Sequence, residues 1–222
     1  MEWKEYLPFW NNLNEIQKLI LERSVSRRRA AKGTLLHSGS GDCVGLFLIM
    51  HGMLRAYLVS EEGREVTLYR LLERDICLFS ASCMLSSIDF DIYVEAEQDT
   101  EFYHIPTEVY HSLMQDSLAV SQYTNELMAS RFSDVMWLLD QVLYKKLDSR
   151  LAAFLLEESR LRGSSELRLT HEDIAQHLGS AREVVTRMLK YLSGEGLVSL
   201  SRGSVTVADA GRLSELASAS LR

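Results

Sequence analysis

Arg182, Glu183, Thr186 and Arg187 fall at i, i+1, i+4 and i+5, a spacing that places all four on one side of a helix. Their chemistry is that of base-edge recognition. Arg182 and Arg187 can each pair bidentately with a guanine, Glu183 can accept from a cytosine amino group, and Thr186 can touch a thymine methyl or a phosphate. A second set, Thr170, His171, Lys190, Ser201 and Arg202, supplies hydroxyls, a ring nitrogen and cations suited to phosphate contacts. Such contacts set register without reading sequence. From Arg168 to Arg202 there are five Lys/Arg and four Asp/Glu, a net +1, against −7 for the whole chain. Any nucleic-acid surface is therefore local.

The elements that must position these residues are legible in "LTHEDIAQHLGSAREVVTRMLKYLSGEGLVSLSRGSVTVAD", Leu169 to Asp209. Thr170 with Asp173 resembles a capping box that opens a short helix, and Gly179 ends it. Ser180 with Glu183 reads as a second capping box, opening a helix that buries Val184, Val185, Met188, Leu189 and Leu192. Two short helices joined at a glycine make a helix-turn-helix. The following "LVSLSRGSVTV" predicts a hairpin turning at Arg202 and Gly203, a wing. In such units the N-terminal part of the second helix enters the major groove. The same helix–turn–helix–hairpin unit can also dock a protein. A ligand-binding regulatory or scaffold module therefore stands as the alternative to DNA binding.

Upstream, the texture is different. From Lys32 to Pro106, short apolar runs alternate with Gly and charge, among them "GLFLIMHGMLRAYLV", the turn "SEEGRE" and "VTLYRLL". These predict a hairpin within a barrel or jelly-roll, and "IYVEAEQDTEFYHI" predicts two further strands. From Thr107 to Leu147 there is no Gly and no Pro. Met128, Phe132, Val135, Leu139 and Val142 form a seam spaced by four and three, which predicts a long dimer helix. A second apolar set, Leu127, Trp137, Leu138 and Leu143, widens the stripe. "SRLAAFLLEESRLRG" predicts another helix, ended by Gly163.

The bulk properties limit the possibilities. The chain has 222 residues, 46% of them hydrophobic, and three cysteines (Cys43, Cys77, Cys83), none in a CxxC spacing. Neither a zinc site nor a disulfide framework is indicated. The N-terminus lacks the pattern of a signal peptide, and no apolar run reaches the ~18–20 residues of a membrane span. A cytoplasmic, reducing setting with no membrane partner is expected. No P-loop, GxSxG or nucleophile–base pairing marks an enzyme, so neither catalytic nor metal-ligand residues are assigned.

"HEDIAQHLGSAREVVTRMLKYLSGEGLV" closely resembles the winged helix of the CRP/FNR superfamily of bacterial transcription regulators. "GTLLHSGSGDCVGLFLIMHGMLRAYLVSEEGREVTLYRLLERD", with glycines at 33, 39, 52 and 63, is similar to that family's β-roll. The resemblance implies an α+β chain with an N-terminal double-stranded β-helix, a jelly-roll of the cyclic-nucleotide-binding type. A long dimerisation helix and a C-terminal winged helix-turn-helix follow. The expected domains are a β-roll effector domain at 1–106, the dimer helix at 107–147 and a DNA-binding domain at 148–222. It further implies a homodimer on a palindromic promoter site with a half-site like TGTGA, allosteric control from the β-roll, and RNA polymerase as a partner. Arg182, Glu183 and Arg187 match the base-reading positions of the catabolite-activator branch. Thr186 stands where the oxygen-responsive branch has a small hydroxyl residue.

The effector segment departs from the family. Arg74 stands where the cyclic-nucleotide branch has the Gly of Gly-Asp, "DICLF" replaces its Gly-Glu, and Phe90 and Asp91 occupy its Arg-Ser. A carboxylate where a cyclic phosphate should sit repels it, which argues against cyclic AMP. The first 42 residues contain no cysteine, which argues against an iron–sulfur cluster. Haem held by one of the isolated histidines His37, His51, His104 or His111 is an alternative. It is not favoured, because a lone histidine is more often hydrogen-bonded or solvent-facing than a ligand. Cys77 and Cys83, six apart with Arg74 nearby, offer thiol-redox sensing. The competing and favoured reading is that both are small core residues. The candidate effector pocket is thus Arg74, Cys77, Cys83, Phe90 and Asp91, and the cofactor is unassigned.

Overall fold

The computed structural model describes residues 3–39, 44–78, 91–218 and 220–221. The chain divides into two compact units. One comprises Met1–Val59 and Leu68–Val135, the other Ser60–Thr67 and Met136–Arg222.

The first unit begins with two 3-10 turns, Trp3–Tyr6 and Trp10–Asn12, and helix α1, Glu15–Ser24. A reciprocal capping box between Asn14 and Gln17 starts α1. Strands β1 (Ser26–Ala30), β2 (Leu35–Ser38), β3 (Leu46–His51), β4 (Leu54–Val59), β5 (Glu65–Leu71, its first three residues counted with the second unit), β6 (Ile76–Cys77), β7 (Ile92–Ala96) and β8 (Thr100–Ile105) follow. They form two four-stranded sheets, ordered β1-β8-β3-β6 and β2-β7-β4-β5. The paired runs around the EEG turn are neighbours, as the sequence predicts. The successive strands β7 and β8, by contrast, belong to opposite sheets, which is the crossing expected of a jelly-roll.

Strand β3 reads as an unbroken apolar run because both of its faces are covered. Phe47 and Ile49 join the core between the sheets with Leu54, Ala56, Val94 and Phe102. Leu46 and Leu48 face a second core with Leu7, Phe9, Leu21, Tyr110 and Val120 from the helical layer. Strand β4 has one apolar face only. Opposite its core residues, Arg55 and Tyr57 lie directly across from Glu95 and Tyr93 of β7. Arg55 is ion-paired to Glu95 at 2.9 Å, and the two tyrosine rings stack at 5.5 Å. Such cross-strand pairs seal the outer face of the sheet and specify its register.

The segment 107–147 is not one helix, contrary to the sequence expectation. Helix α2, Thr107–Asp116, stops at Ser117, and α3 runs from Leu118 to Tyr144. Ser117 is extended, with φ −133° and ψ 114°. Its N–H closes α2 on Leu113, and its carbonyl accepts from Ser121 in α3. The bend is pinned by Tyr110 and Thr124, whose hydroxyls are 2.8 Å apart in the core. Of the predicted seam, Met128 packs into the β-roll cores, whereas Phe132, Leu139 and Val142 are exposed. Leu127 also turns to the core, and Met136 and Leu143 extend the exposed stripe.

In the second unit, α4 (Leu147–Arg162) ends at Gly163 with φ +61°. After it come β9 (Glu166–Leu167), α5 (His171–Leu178), α6 (Arg182–Gly194), β10 (Val198–Ser201), β11 (Ser204–Val207) and α7 (Ala210–Ala217). One core, including Leu151, Leu155, Ile174, Val185, Leu189, Leu192, Val205 and Leu213, draws on every helix of this group and on the wing. Among the described residues, no helix is long and apolar enough to cross a membrane.

Candidate nucleic-acid interface

Helix α5 is held at its start by Thr170, whose Oγ1 accepts from the Asp173 N–H while Asp173 accepts from the Thr170 N–H at 2.7 Å. At its end, Gly179 adopts φ +62°, a left-handed backbone that a side chain resists. Its N–H and that of Ser180 both return to the Ala175 carbonyl. Ala175 is buried where α5 and α6 pack. The second capping box is not formed: the N-cap of α6 is Ala181, with no side-chain cap. Ser180 lies one residue too early, its own N–H committed to closing α5.

Helix α6 buries Val185, Leu189 and Leu192. That orientation turns Arg182, Glu183, Thr186, Arg187 and Lys190 together to line one open depression. All but Thr186, which is half-buried, are exposed. Thr170 is also exposed, as are Ser201 and Arg202 at the tip of the wing. Gly203 completes that turn with φ +74°.

His171 is not simply a surface residue. Its Nδ1 lies 2.8 Å from Thr186 Oγ1, bridging α5 to α6. Partial burial, and then the charges of Arg182 and Lys190, push the His171 pKa below its usual value. The sequence expectation placed both residues toward a ligand but missed this pairing, which no spacing rule signals across 15 positions. Behind the helix-turn-helix, Arg150 donates to the Leu178 carbonyl at 2.6 Å. The His177 ring packs 5.1 Å from that of Phe154, and its Nδ1 lies 2.9 Å from Thr67 Oγ1.

Among the described candidate effector residues, Arg74, Cys77 and Asp91 are not drawn into one site. Cys77 is fully buried in the core between the sheets, opposite Phe47. Arg74 is exposed, and its guanidinium lies 5.4 Å from the Tyr6 ring. Asp91 is exposed beside Gly39. Cys83 and Phe90 lie outside the described residues. Among the isolated histidines, His37 and His104 are buried, and His104 Nε2 donates to the Val44 carbonyl. His51 is exposed, and His111 is half-exposed near Gln115. A cluster that the sequence did not signal surrounds Arg131 of α3. Arg131 is buried, lies 4.6 Å from the Tyr69 ring, and pairs with Asp134 at 3.1 Å and Asp75 at 3.8 Å. Burial, the dominant influence there, raises the Tyr69 pKa well above its usual value. The cluster ties α3 to β5 and to the turn that follows it.

A crystal structure from Eubacterium rectale, described as a transcriptional regulator of the CRP/FNR family, is similar to this chain along nearly its whole length. Identity is 53%, coverage is 96% of this chain and 99% of that one, and the TM-score is 0.95. The chain belongs to the CRP/FNR family. A Crp-like helix-turn-helix domain matches residues 149–216 of this CRP/FNR protein. The cyclic AMP receptor protein of Thermus thermophilus is 29% identical over 172 residues, covering 78% of this chain and 79% of its own. The fumarate and nitrate reduction regulatory protein of Escherichia coli K12 is 26% identical over 223 residues, covering 95% and 86%. The chain is thus a CRP/FNR-type transcription regulator, and its winged helix is the family's DNA-binding element.

Proposed function

We propose that this CRP/FNR protein binds promoter DNA as a homodimer on a palindromic site. Arg182, Glu183, Thr186 and Arg187 read bases, while Thr170, His171, Lys190, Ser201 and Arg202 hold phosphates. The observation that carries the reading is the convergence of Arg182, Glu183, Thr186, Arg187 and Lys190 on one exposed face of α6. Two arginines in that position match the bidentate geometry of guanine. The second copy is supported by α3, whose Phe132, Met136, Leu139 and Leu143 are exposed and spaced by four, three and four, the period of a two-helix seam.

The 1–106 region serves as the effector domain, and the protein works in the cytoplasm, regulating rather than catalysing, with RNA polymerase as its partner. The effector is not cyclic AMP bound in the usual way. Asp91 is a carboxylate, and Arg74 is turned to Tyr6, so neither supplies the donor set that a cyclic phosphate needs. The Thermus relative named for cyclic AMP is therefore a guide to fold and DNA binding, not to ligand. The test is fluorescence anisotropy with duplexes carrying inverted TGTGA repeats at several salt concentrations. Wild type is expected to bind with a steep salt dependence. The double variant Arg182→Ala, Arg187→Ala is expected to lose at least about thirtyfold in specific affinity, from two bidentate base contacts. Equal binding by the two proteins would overturn the reading.

A further inference from the structure

The His171–Thr186 bridge is unusual in joining a residue at the start of α5 to the middle of the base-reading face. Thr186 has two ends, a hydroxyl and a methyl, and in a helix its χ1 divides between two rotamers because the hydroxyl can fold back onto the backbone. Here Oγ1 is engaged instead by His171 Nδ1 at 2.8 Å. Whichever ring nitrogen carries the hydrogen, the bond selects the rotamer that points Oγ1 at the imidazole. His171 is itself held, because it opens a helix whose N-cap is locked by the reciprocal Thr170–Asp173 bonds. Thr186 lines a depression with Arg182, Glu183, Arg187 and Lys190, and with Oγ1 turned toward α5 the methyl is the other end of the side chain.

We propose that His171 is a positioning residue for sequence recognition: it holds the Thr186 hydroxyl, so that Thr186 presents its methyl to DNA and selects thymine by apolar contact with the C5-methyl. The inference rests on the DNA-binding reading above and sharpens it. Without His171, the Thr186 side chain is free to offer its hydroxyl to a phosphate or to any base edge with an acceptor, and discrimination at that base pair weakens. Position 171 thereby acts on a base that it does not touch.

The experiment uses the full-length protein and the duplex recovered by binding selection from a random pool, with every thymine replaced in turn by deoxyuridine. That replacement removes only the C5-methyl. Wild type is expected to bind roughly three- to fivefold more weakly at one thymine per half-site, the effect of a single buried methyl. Thr186→Ser keeps the hydroxyl and should lose this penalty, and Thr186→Val keeps a methyl and should retain it. His171→Ala should lose the penalty, and His171→Asn should restore it, since its amide reaches the same hydroxyl. In the Thr186→Val background, His171→Ala should leave the deoxyuridine penalty unchanged, apart from the uniform loss of affinity that removing its phosphate contact brings to every duplex. The proposal is overturned if wild type ignores every uracil, if His171→Ala keeps the penalty, or if His171→Ala removes the penalty from the Thr186→Val protein as well. Wild type that bound no duplex in a salt-dependent way would instead overturn the DNA-binding reading, and this proposal with it.

Discussion

Phe132 provides a quantitative test of the proposed homodimer. Its side chain is 68% exposed on α3 and belongs to none of the cores. A phenylalanine buries roughly 200 Å² when fully covered, so about 135 Å² per copy is available to a partner. At about 25 cal/mol per Å² this is worth about 3 kcal/mol per copy. A two-fold interface counts the residue twice. Partial coverage, and the methyl that alanine retains, bring the expected cost of Phe132→Ala for the dimer back to about 3 kcal/mol, on the order of a 100-fold rise in the dimer dissociation constant. Sedimentation velocity over a concentration series reads this directly. Tyr191→Ala serves as the control, because Tyr191 is 57% exposed but lies on α6. The thermal stability of dilute, monomeric protein should be unchanged by Phe132→Ala, since the side chain packs on nothing within its own chain's core. A dissociation constant within about threefold of wild type would refute the assignment of this stripe to a second copy.

Gly179→Ala should destabilise the winged helix by about 1–2 kcal/mol in denaturant unfolding, the cost of a left-handed backbone for an L residue. The added Cβ would also approach Val66 Cγ2 at 3.0 Å. Acidification should cost stability through two groups. Burial depresses the His104 pKa below 6.5, so its contribution is complete above pH 6.5 and is lost as pH falls through the lower folded value. Hydrogen bonds from Arg27 and Arg29 hold Glu101 at about 2 against 4.5, so its contribution is lost only between those values. Urea titrations from pH 8 to acid should show a loss that begins as pH falls below 6.5, and His104→Gln should remove that onset. Cys77 should resist a bulky thiol reagent in the native protein and react fully in urea. Rapid native labelling would show that the core around it opens.

The residues that were legible in the sequence owe their structure to near neighbours. Gly163, Gly179 and Gly203 end elements in left-handed conformations, and Thr170 meets a partner three residues on. What was not legible depends on tertiary contact. Ser117 breaks a segment with no Gly or Pro because Tyr110 and Thr124 fix the bend. Ala181 takes the cap position from Ser180 because the Ser180 N–H is already spent on Ala175. His171 and Thr186 were each singled out for DNA, but only the packing of α5 on α6 joins them. The seam on α3 was half legible. Its period was right, but which members face inward is decided by the β-roll, which takes Met128 and leaves Phe132.

Arg74 shows how far side-chain chemistry can drift while the backbone frame persists. The resemblance places a family glycine at this position, and the arginine here still adopts φ +76°, the one non-glycine with positive φ among the described residues. Two backbone bonds hold it there: the Arg74 N–H to the Ile49 carbonyl at 2.9 Å and the Ile49 N–H to the Asp75 carbonyl at 3.0 Å. A left-handed arginine costs about 1–2 kcal/mol. The ladder to β3, the burial of Ile76 and Cys77 just beyond it and the approach to the Tyr6 ring offset that cost. The turn is therefore imposed by the sheet and not chosen by the residue in it. The departures at Arg74 and Asp91 thus leave the frame of the roll intact at the described positions, and on the proposed reading a search for the effector should seek a ligand of different charge in the same fold.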